Sequence, residues 1–359
     1  MDQALNLFSR LTAAQEQRII FSPRPDWVTP TVVPILLNGG VGDVVMAIPL
    51  VRELFRSYPI EVWARHATAF NYVKTPDTPE AKQVPIPFYS WFLEINAVAR
   101  FNFKGGDLGL PGFARPLWNA LSRALSVHPT LRTMTERHPH FDTALARWAR
   151  ANGYDRRSLP AMMLGQSLAP YRPGRLAPAE KYITIHDGYE IQSEHIVTGR
   201  ATKCWKWEHW NALVRYLKAE LPDYKILQLG AETARPIDGV DACLINQTTI
   251  LEAFDILKES ALHIDGDSGL VHAATAMGVP CVVMFGPTPD YFYGYEQNAN
   301  LRADTCPDAC YWLKDDWLGR CPIGYNAPKC MDDLVPERVM NAVRTKLQLE
   351  EMSISRSPA

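Results

Sequence analysis

No apolar run in this 359-residue chain approaches the roughly 18 positions needed to cross a bilayer. The longest, Val32 to Leu37 and Pro280 to Phe285, are strand-sized. The N-terminus lacks a basic segment leading into an apolar one, so no secretory signal is expected and a cytoplasmic protein is. An excess of charge of one sign is missing too: the net charge of −2 excludes a chain basic throughout. It gives no long-range pull toward nucleic acid or anionic membrane, although a local basic patch remains compatible with it. Internal repeats and low-complexity tracts are also missing.

What is present is ordinary soluble-protein material, with 47% hydrophobic and 21% charged residues, enough to bury sizeable cores. The length suits about two domains. Cysteine is the exception to this even composition. Four of the seven fall between positions 306 and 330, which in a reducing cell suggests metal before disulfides.

Apolar spacing predicts a helix over Gln3 to Arg18, then a proline-rich stretch to Pro34. A buried strand over Val32 to Leu37 is broken by Gly39-Gly-Val-Gly42, and Asp43 opens a helix to about Ser57 that Pro49 should kink or divide. Ile60 to Ala64 reads as the next strand, completing a unit typical of parallel sheets. From Thr75 to Pro160, alternation weakens. Helices near Pro116 to Ser126 and His140 to Asn152 are expected there, within acceptor-facing loops rather than core.

Strands are predicted again at Tyr182 to His186, Tyr224 to Leu229, Ala261 to Ile264 and Cys281 to Phe285. Helices at Trp207 to Leu221, Thr249 to Ser260 and Ser268 to Met277 alternate with them. That rhythm indicates a second doubly wound domain. The three prolines between Leu168 and Glu180 mark a linker.

The segment Asp265-Gly-Asp-Ser-Gly-Leu-Val-His272 stops a strand and starts a helix. Its free first-turn amides, from Ser268 to Leu270, suit an anion, with the helix dipole assisting. Gly269 lets an anion approach the backbone, and Ser268 offers a hydroxyl donor. Ordinary capping explains the same residues, and the segment alone leaves both readings open. Asp267 would repel a diphosphate, so it reads as a cap or as an acceptor from sugar hydroxyls. His272 either faces the site or is a satisfied core histidine.

Gly39, Gly40 and Gly42 form neither the spaced Gly-x-Gly-x-x-Gly of a dinucleotide site nor a P-loop with its lysine. They place Asp43 at the carboxyl end of a first strand, where open α/β sheets bind ligands. A carboxylate there suits a general base, and equally a simple helix cap. In Thr202-Lys-Cys-Trp-Lys-Trp207, Lys203 or Lys206 is suited to neutralise a leaving diphosphate, unless both are merely solvated. Cys306-x3-Cys310-x10-Cys321-x8-Cys330 supplies four thiols suited to tetrahedral zinc or iron, with disulfides and free thiols as alternatives.

Together these pieces resemble the ADP-heptose heptosyltransferases of glycosyltransferase family 9, over Ile35 to Pro59 and Lys181 to about Val339. Gly42-Asp43, Pro49-Leu50 and Arg52 resemble the family's N-terminal signature. Lys203-Cys-Trp205 before a helix resembles its lysine motif, with Lys206 where a proline is usual. Asp267 to His272, Gly278-Val-Pro280 and Phe285-Gly-Pro-Thr288 resemble its C-terminal signature. The resemblance implies the α/β arrangement called GT-B, with two facing Rossmann-like, doubly wound domains, and an inverting transfer without a catalytic metal. By it, Asp43 is similar to the general base and Lys203 to the residue on the donor phosphates. Ser268 and Gly269 match the diphosphate positions, and Glu232 matches an acidic residue on the nucleotide ribose. The four late cysteines resemble the iron-binding finger of bacterial autotransporter heptosyltransferases, a branch that modifies protein serines.

The expectation is therefore an acceptor-side domain over 1–170, a linker over 171–180 and a nucleotide-sugar domain over 181–345. The cysteine loop spans 304–332 and a tail 346–359. The expected activity is transfer of heptose or a related sugar from a nucleotide-diphosphate donor, ADP-heptose by resemblance, to a glycan or protein hydroxyl. The cysteines would hold structural zinc or iron, and a homo-oligomer is allowed. Two alternatives stand beside this: a sugar-nucleotide epimerase or hydrolase of similar fold, and a non-catalytic metal-containing assembly protein.

Overall fold

The structure is a computed structural model that describes residues 28–87, 89–103, 110–137, 143–169, 181–189, 199–306 and 308–354, with side chains to 347. The helix predicted over Gln3 to Arg18 and most of the expected linker lie outside the described residues. The chain divides into two compact units, Met1–Tyr171 and Arg172–Ala359.

The first unit is built on a five-stranded sheet of order β3-β2-β1-β4-β5. Its strands are β1 (Val33–Leu37), β2 (Ile60–Ala64), β3 (Ala81–Gln83), β4 (Trp91–Ile95) and β5 (Ala99–Phe103). All pairs are parallel except β4 with β5, which form an antiparallel hairpin. Every residue of β1 is buried, as a central parallel strand with both faces covered requires. Pro34 is tolerated inside it because pairing with β4 starts only at Ile35↔Leu93.

The helix expected from Asp43 to Ser57 is divided, into Val41–Met46 and Ile48–Ser57. Pro49 sits in the first turn of the second piece, where its missing amide removes no helical bond. Asp43 does not open the first piece. Gly40 caps it, and Asp43 is its third residue.

The stretch from Thr75 to Pro160 corrects the expectation of loops and helices away from the core. It supplies three of the five strands, and Trp91, Phe92, Leu93 and Ile95 of β4 are buried. β4 has no polar alternation because it is covered on both faces, which blurred its signal in the sequence. The expected helices occur as Arg115–Val127 and Thr143–Ala151.

The second unit carries a parallel six-stranded sheet of order β11-β10-β9-β6-β7-β8. It comprises β6 (Tyr182–His186), β7 (Lys225–Leu229), β8 (Ala242–Cys243), β9 (Leu262–Gly266), β10 (Cys281–Phe285) and β11 (Ala299–Arg302). The alternation of strand and helix read from the sequence is present throughout. Thr249 caps the helix Ile250–Glu259 through a reciprocal box with Glu252. Gly278, at φ 80°, ends the helix Gly269–Ala276 in the left-handed conformation that glycine adopts without strain. The core under this sheet holds Trp205 and Trp210 packed edge to face, with Trp205 Nε1 donating to Leu334 O at 2.7 Å. The last helix, Pro336–Ile354, runs well into the segment expected as a tail.

Candidate donor-binding and carboxylate sites

In an open α/β sheet, ligands bind beyond the carboxyl ends of the strands, where the chain order reverses. In the second unit that point lies between β6 and β9. The Asp265–His272 segment leaves β9 there and becomes the helix Gly269–Ala276.

Ser268 is the cap. Its Oγ accepts Leu270 N–H at 3.1 Å and donates its own proton to Asp265. A hydroxyl has one hydrogen, so Ser268 has none left for an anion, which corrects its expected role as a donor. The amides of Gly269 and Val271, with no acceptor inside the helix, are the groups left to face a ligand.

Asp267 is not the cap either. It is buried, with Lys203 Nζ at 3.5 Å from one oxygen and His272 Nε2 at 3.6 Å from the other. Burial alone would raise its pKa, but Lys203's charge and the His272 contact outweigh burial and hold the group far below the usual carboxylate range. His272 is itself buried, and its Nδ1 meets the Tyr295 hydroxyl at 3.0 Å. It holds Asp267 from beneath, which joins the two readings of the sequence. Lys206, the rival to Lys203, lies 3.4 Å from Asp332. Glu232 is exposed in the turn after β7.

Sequence reasoning missed the group beneath this segment. Asp265 accepts from His186 Nδ1, at 2.9 Å from both oxygens, from His263 Nε2 at 3.3 Å and from Ser268. Thr184 Oγ1 lies 3.0 Å from His263 Nδ1 and donates to it in the tautomer that lets Nε2–H point at Asp265. The strands pair Thr184 with His263 and Ile185 with Ile264, and just beyond this register the His186 ring meets Asp265. Burial opposes the charge on Asp265, yet His186 and His263 hold its pKa down at about 2. Burial likewise pushes His186 down, and Asp265 more than reverses that, so His186 is raised. Burial raises Asp187 to about 6. A charged residue and two histidines in otherwise apolar strands were the available signal.

In the first unit, Asp43 follows β1 at the corresponding reversal between β1 and β4. Its Oδ2 accepts Gly40 N–H at 3.0 Å, and its Oδ1 lies 2.8 Å from Nη2 of Arg156, which is 2% exposed. Arg156 also binds Asn96 Oδ1, and Asn96 Nδ2 donates to Asn38 O at 3.2 Å. A Cβ on Gly39 would lie 2.5 Å from the Asp43 Cβ, so this approach requires glycine. No structural role is evident for Gly42 beyond its place in the first helical turn. Asp43 is thus not the helix cap itself: one of its oxygens returns to the backbone of the cap, Gly40, and its side chain stays 30% exposed. Arg156 carries no sequence signal, being 113 positions away.

Cys306, Cys310, Cys321 and Cys330 are all buried and all free thiols. Burial, and then the charge of neighbouring thiols, pushes Cys310 and Cys330 up to about 12. The sulfurs therefore sense one another. Among the described residues, however, no three or more His, Cys, Asp or Glu side chains are arranged to hold a metal ion. The loop also braces the lysine segment: Thr202 donates through N to Leu318 O and through Oγ1 to Trp317 O, each at 2.8 Å.

Residues 195–306 match the family model described as glycosyltransferase family 9 (heptosyltransferase). A lipooligosaccharide heptosyltransferase 2 of Campylobacter jejuni is 32% identical over 101 residues. That alignment spans 28% of this chain and only 30% of the relative's length. Among solved structures, the iron-containing dodecameric glycosyltransferase TibC of enterotoxigenic E. coli aligns with a TM-score of 0.55 at 17% identity, over 93% of this chain and 82% of that one. The same enzyme in complex with ADP-D-beta-D-heptose gives 0.56 at 15%, over 90% and 78%. E. coli ADP-heptose LPS heptosyltransferase II gives 0.50 at 16%, over 89% and 100%. The mixed α/β fold with its parallel sheets is the fold of these GT-B enzymes.

Proposed function

We propose that the protein is an inverting glycosyltransferase that moves heptose or a related sugar from a nucleoside-diphosphate donor to a hydroxyl on a glycan or protein. The observation that carries this reading is the convergence of Lys203 and a capped helix start at the strand-order reversal of a segment matching glycosyltransferase family 9. ADP-heptose, the ligand in one similar structure, is the first donor to test.

In the proposed step, the acceptor oxygen bonds to the anomeric carbon as the bond from that carbon to the diphosphate breaks. The acceptor proton passes to Asp43, and the sugar's configuration inverts. Charge developing on the diphosphate meets Lys203 and the amides of Gly269 and Val271, preset donors that need no rearrangement. No catalytic metal is assigned. Asp267 orients Lys203 and accepts from sugar hydroxyls, and Glu232 serves the nucleotide ribose.

The test is a panel of nucleotide sugars screened for thermal stabilisation, followed by acceptors offered with whichever donor stabilises. If none stabilises, the reading is wrong and a non-catalytic role is favoured. Turnover of the donor without any acceptor would favour an epimerase or hydrolase. Lys203→Met is expected to raise the donor Kd about 10- to 100-fold, measured calorimetrically, because it removes a charged hydrogen bond to the diphosphate. Unchanged affinity would remove Lys203 from the site.

The cysteine loop is assigned a structural metal, zinc or iron. Four buried soft donors on one irregular segment suit it, and thiols raised by burial and mutual repulsion are relieved when a cation binds their deprotonated forms. The similar TibC structure is described as iron-containing. The expected result is about one metal per chain by mass spectrometry of the purified protein. Cys310→Ser should lose that metal and lower the Tm. A metal-free wild type would sink the assignment.

A further inference from the structure

The His186–Asp265 pair stands at the reversal itself, one residue on each of the two strands that flank it. Nδ1 of His186 faces a carboxylate, so that nitrogen carries a proton and donates it. Nε2, on the opposite side of the ring, makes no hydrogen bond among the described residues. It lies against the loop after β6, where a Cβ on Gly188 would come within 2.7 Å of it. Only glycine there leaves that nitrogen uncovered by a side chain. The next residue, Tyr189, is tied by its N–H to Thr233 Oγ1 at 3.0 Å, in the loop after β7. Through Asp265, the same ring is joined to Ser268, the cap of the helix that faces the donor.

A neutral His186 with its proton on Nδ1 would present a bare lone pair at Nε2, which repels an anion. The imidazolium presents an N–H and a positive charge instead. We propose that His186 is a further donor-binding residue, whose imidazolium gives Nε2–H to the donor diphosphate, so that binding takes up a proton. This rests on the donor-site reading above.

The groups facing the ring are Asp265 and Asp187, which favour its charge, and Lys203, which opposes it together with burial. His263 faces it across Asp265. Asp265 raises the ring's pKa in the free protein, and a bound diphosphate raises it further. Affinity is therefore greatest below the free-protein pKa. Above it, affinity falls about tenfold per pH unit until the pKa of the bound state is reached.

The experiment is calorimetric titration of the full chain with ADP-heptose from about pH 6 to about pH 9, in two buffers of different ionisation enthalpy. Both phosphates of this probe are esterified, so it lacks the terminal-phosphate proton that titrates near about pH 6. Wild type should take up a proton and weaken with rising pH. His186→Asn, whose amide can keep the bond to Asp265, should bind at least about tenfold more weakly at the low end and show no proton uptake. The proton count in wild type stands without the variant if His186→Asn fails to fold. Binding with no proton uptake, or a variant that titrates like wild type, overturns this inference alone. Failure of wild type to bind at every pH overturns the donor-site reading as well.

Discussion

Asp43→Asn is expected to lower transfer about 10²- to 10⁴-fold, the usual contribution of a positioned general base, while donor affinity stays within about twofold. The asparagine oxygen can still accept from Arg156, so the side chain keeps its anchor, but an amide cannot take up the acceptor's proton. The residues assigned to the donor all belong to the second unit, and the substitution leaves them untouched. The comparison is kcat in a transfer assay against the calorimetric Kd for the donor. Full transfer by the variant would remove Asp43 from the mechanism. A parallel loss of donor binding would show that the substitution acts through folding.

Asp265→Ala is expected to destabilise the protein by about 3–5 kcal/mol, the range for breaking a buried charged network by removing one partner. The change leaves His186 and His263 each with a buried donor and no acceptor, and frees the half-buried Ser268 hydroxyl. Asp265→Asn retains an acceptor and should cost less. A lower urea midpoint with an unchanged slope is the readout. The effect also has a predicted pH dependence. The folded pKa of Asp265 lies below its unfolded value, so its stabilisation is complete above the ordinary 3.8 and is lost as pH falls through about 2. The gap between wild type and Asp265→Ala should narrow over that window. A variant as stable as wild type at neutral pH would mean that the carboxylate does not hold the network.

Much of the fold is legible in the sequence. Val33–Leu37 and Cys281–Phe285 are apolar runs beside glycine or proline, and such runs read plainly. So did the helix that begins at Thr249 and the division of a helix by Pro49. β4 did not, because a strand covered on both faces has neither polar alternation nor helical spacing, and β5, although Ala99-Arg-Phe-Asn-Phe103 alternates, lies in a stretch read as loops and helices. The site was legible in its backbone and less so in its side chains. The helix start after β9 stood out, but the sequence could not decide which of Asp267 and Ser268 caps it, or where the Ser268 proton goes.

What the sequence by itself determined is local: a glycine that permits close approach, a serine suited to a helix start, strands of fixed length and a signature shared with a family. These follow from the conformational preferences of neighbouring residues, which need no distant partner. The tertiary structure alone decided the pairings. Arg156 reaches Asp43 across 113 positions, His186 reaches Asp265 across 79, and Lys206 is drawn to Asp332, leaving Lys203 beside Asp267. Charge and protonation in a buried site are set by whichever groups the fold brings within a few ångströms, and parallel strand order brings together residues that are remote in the chain.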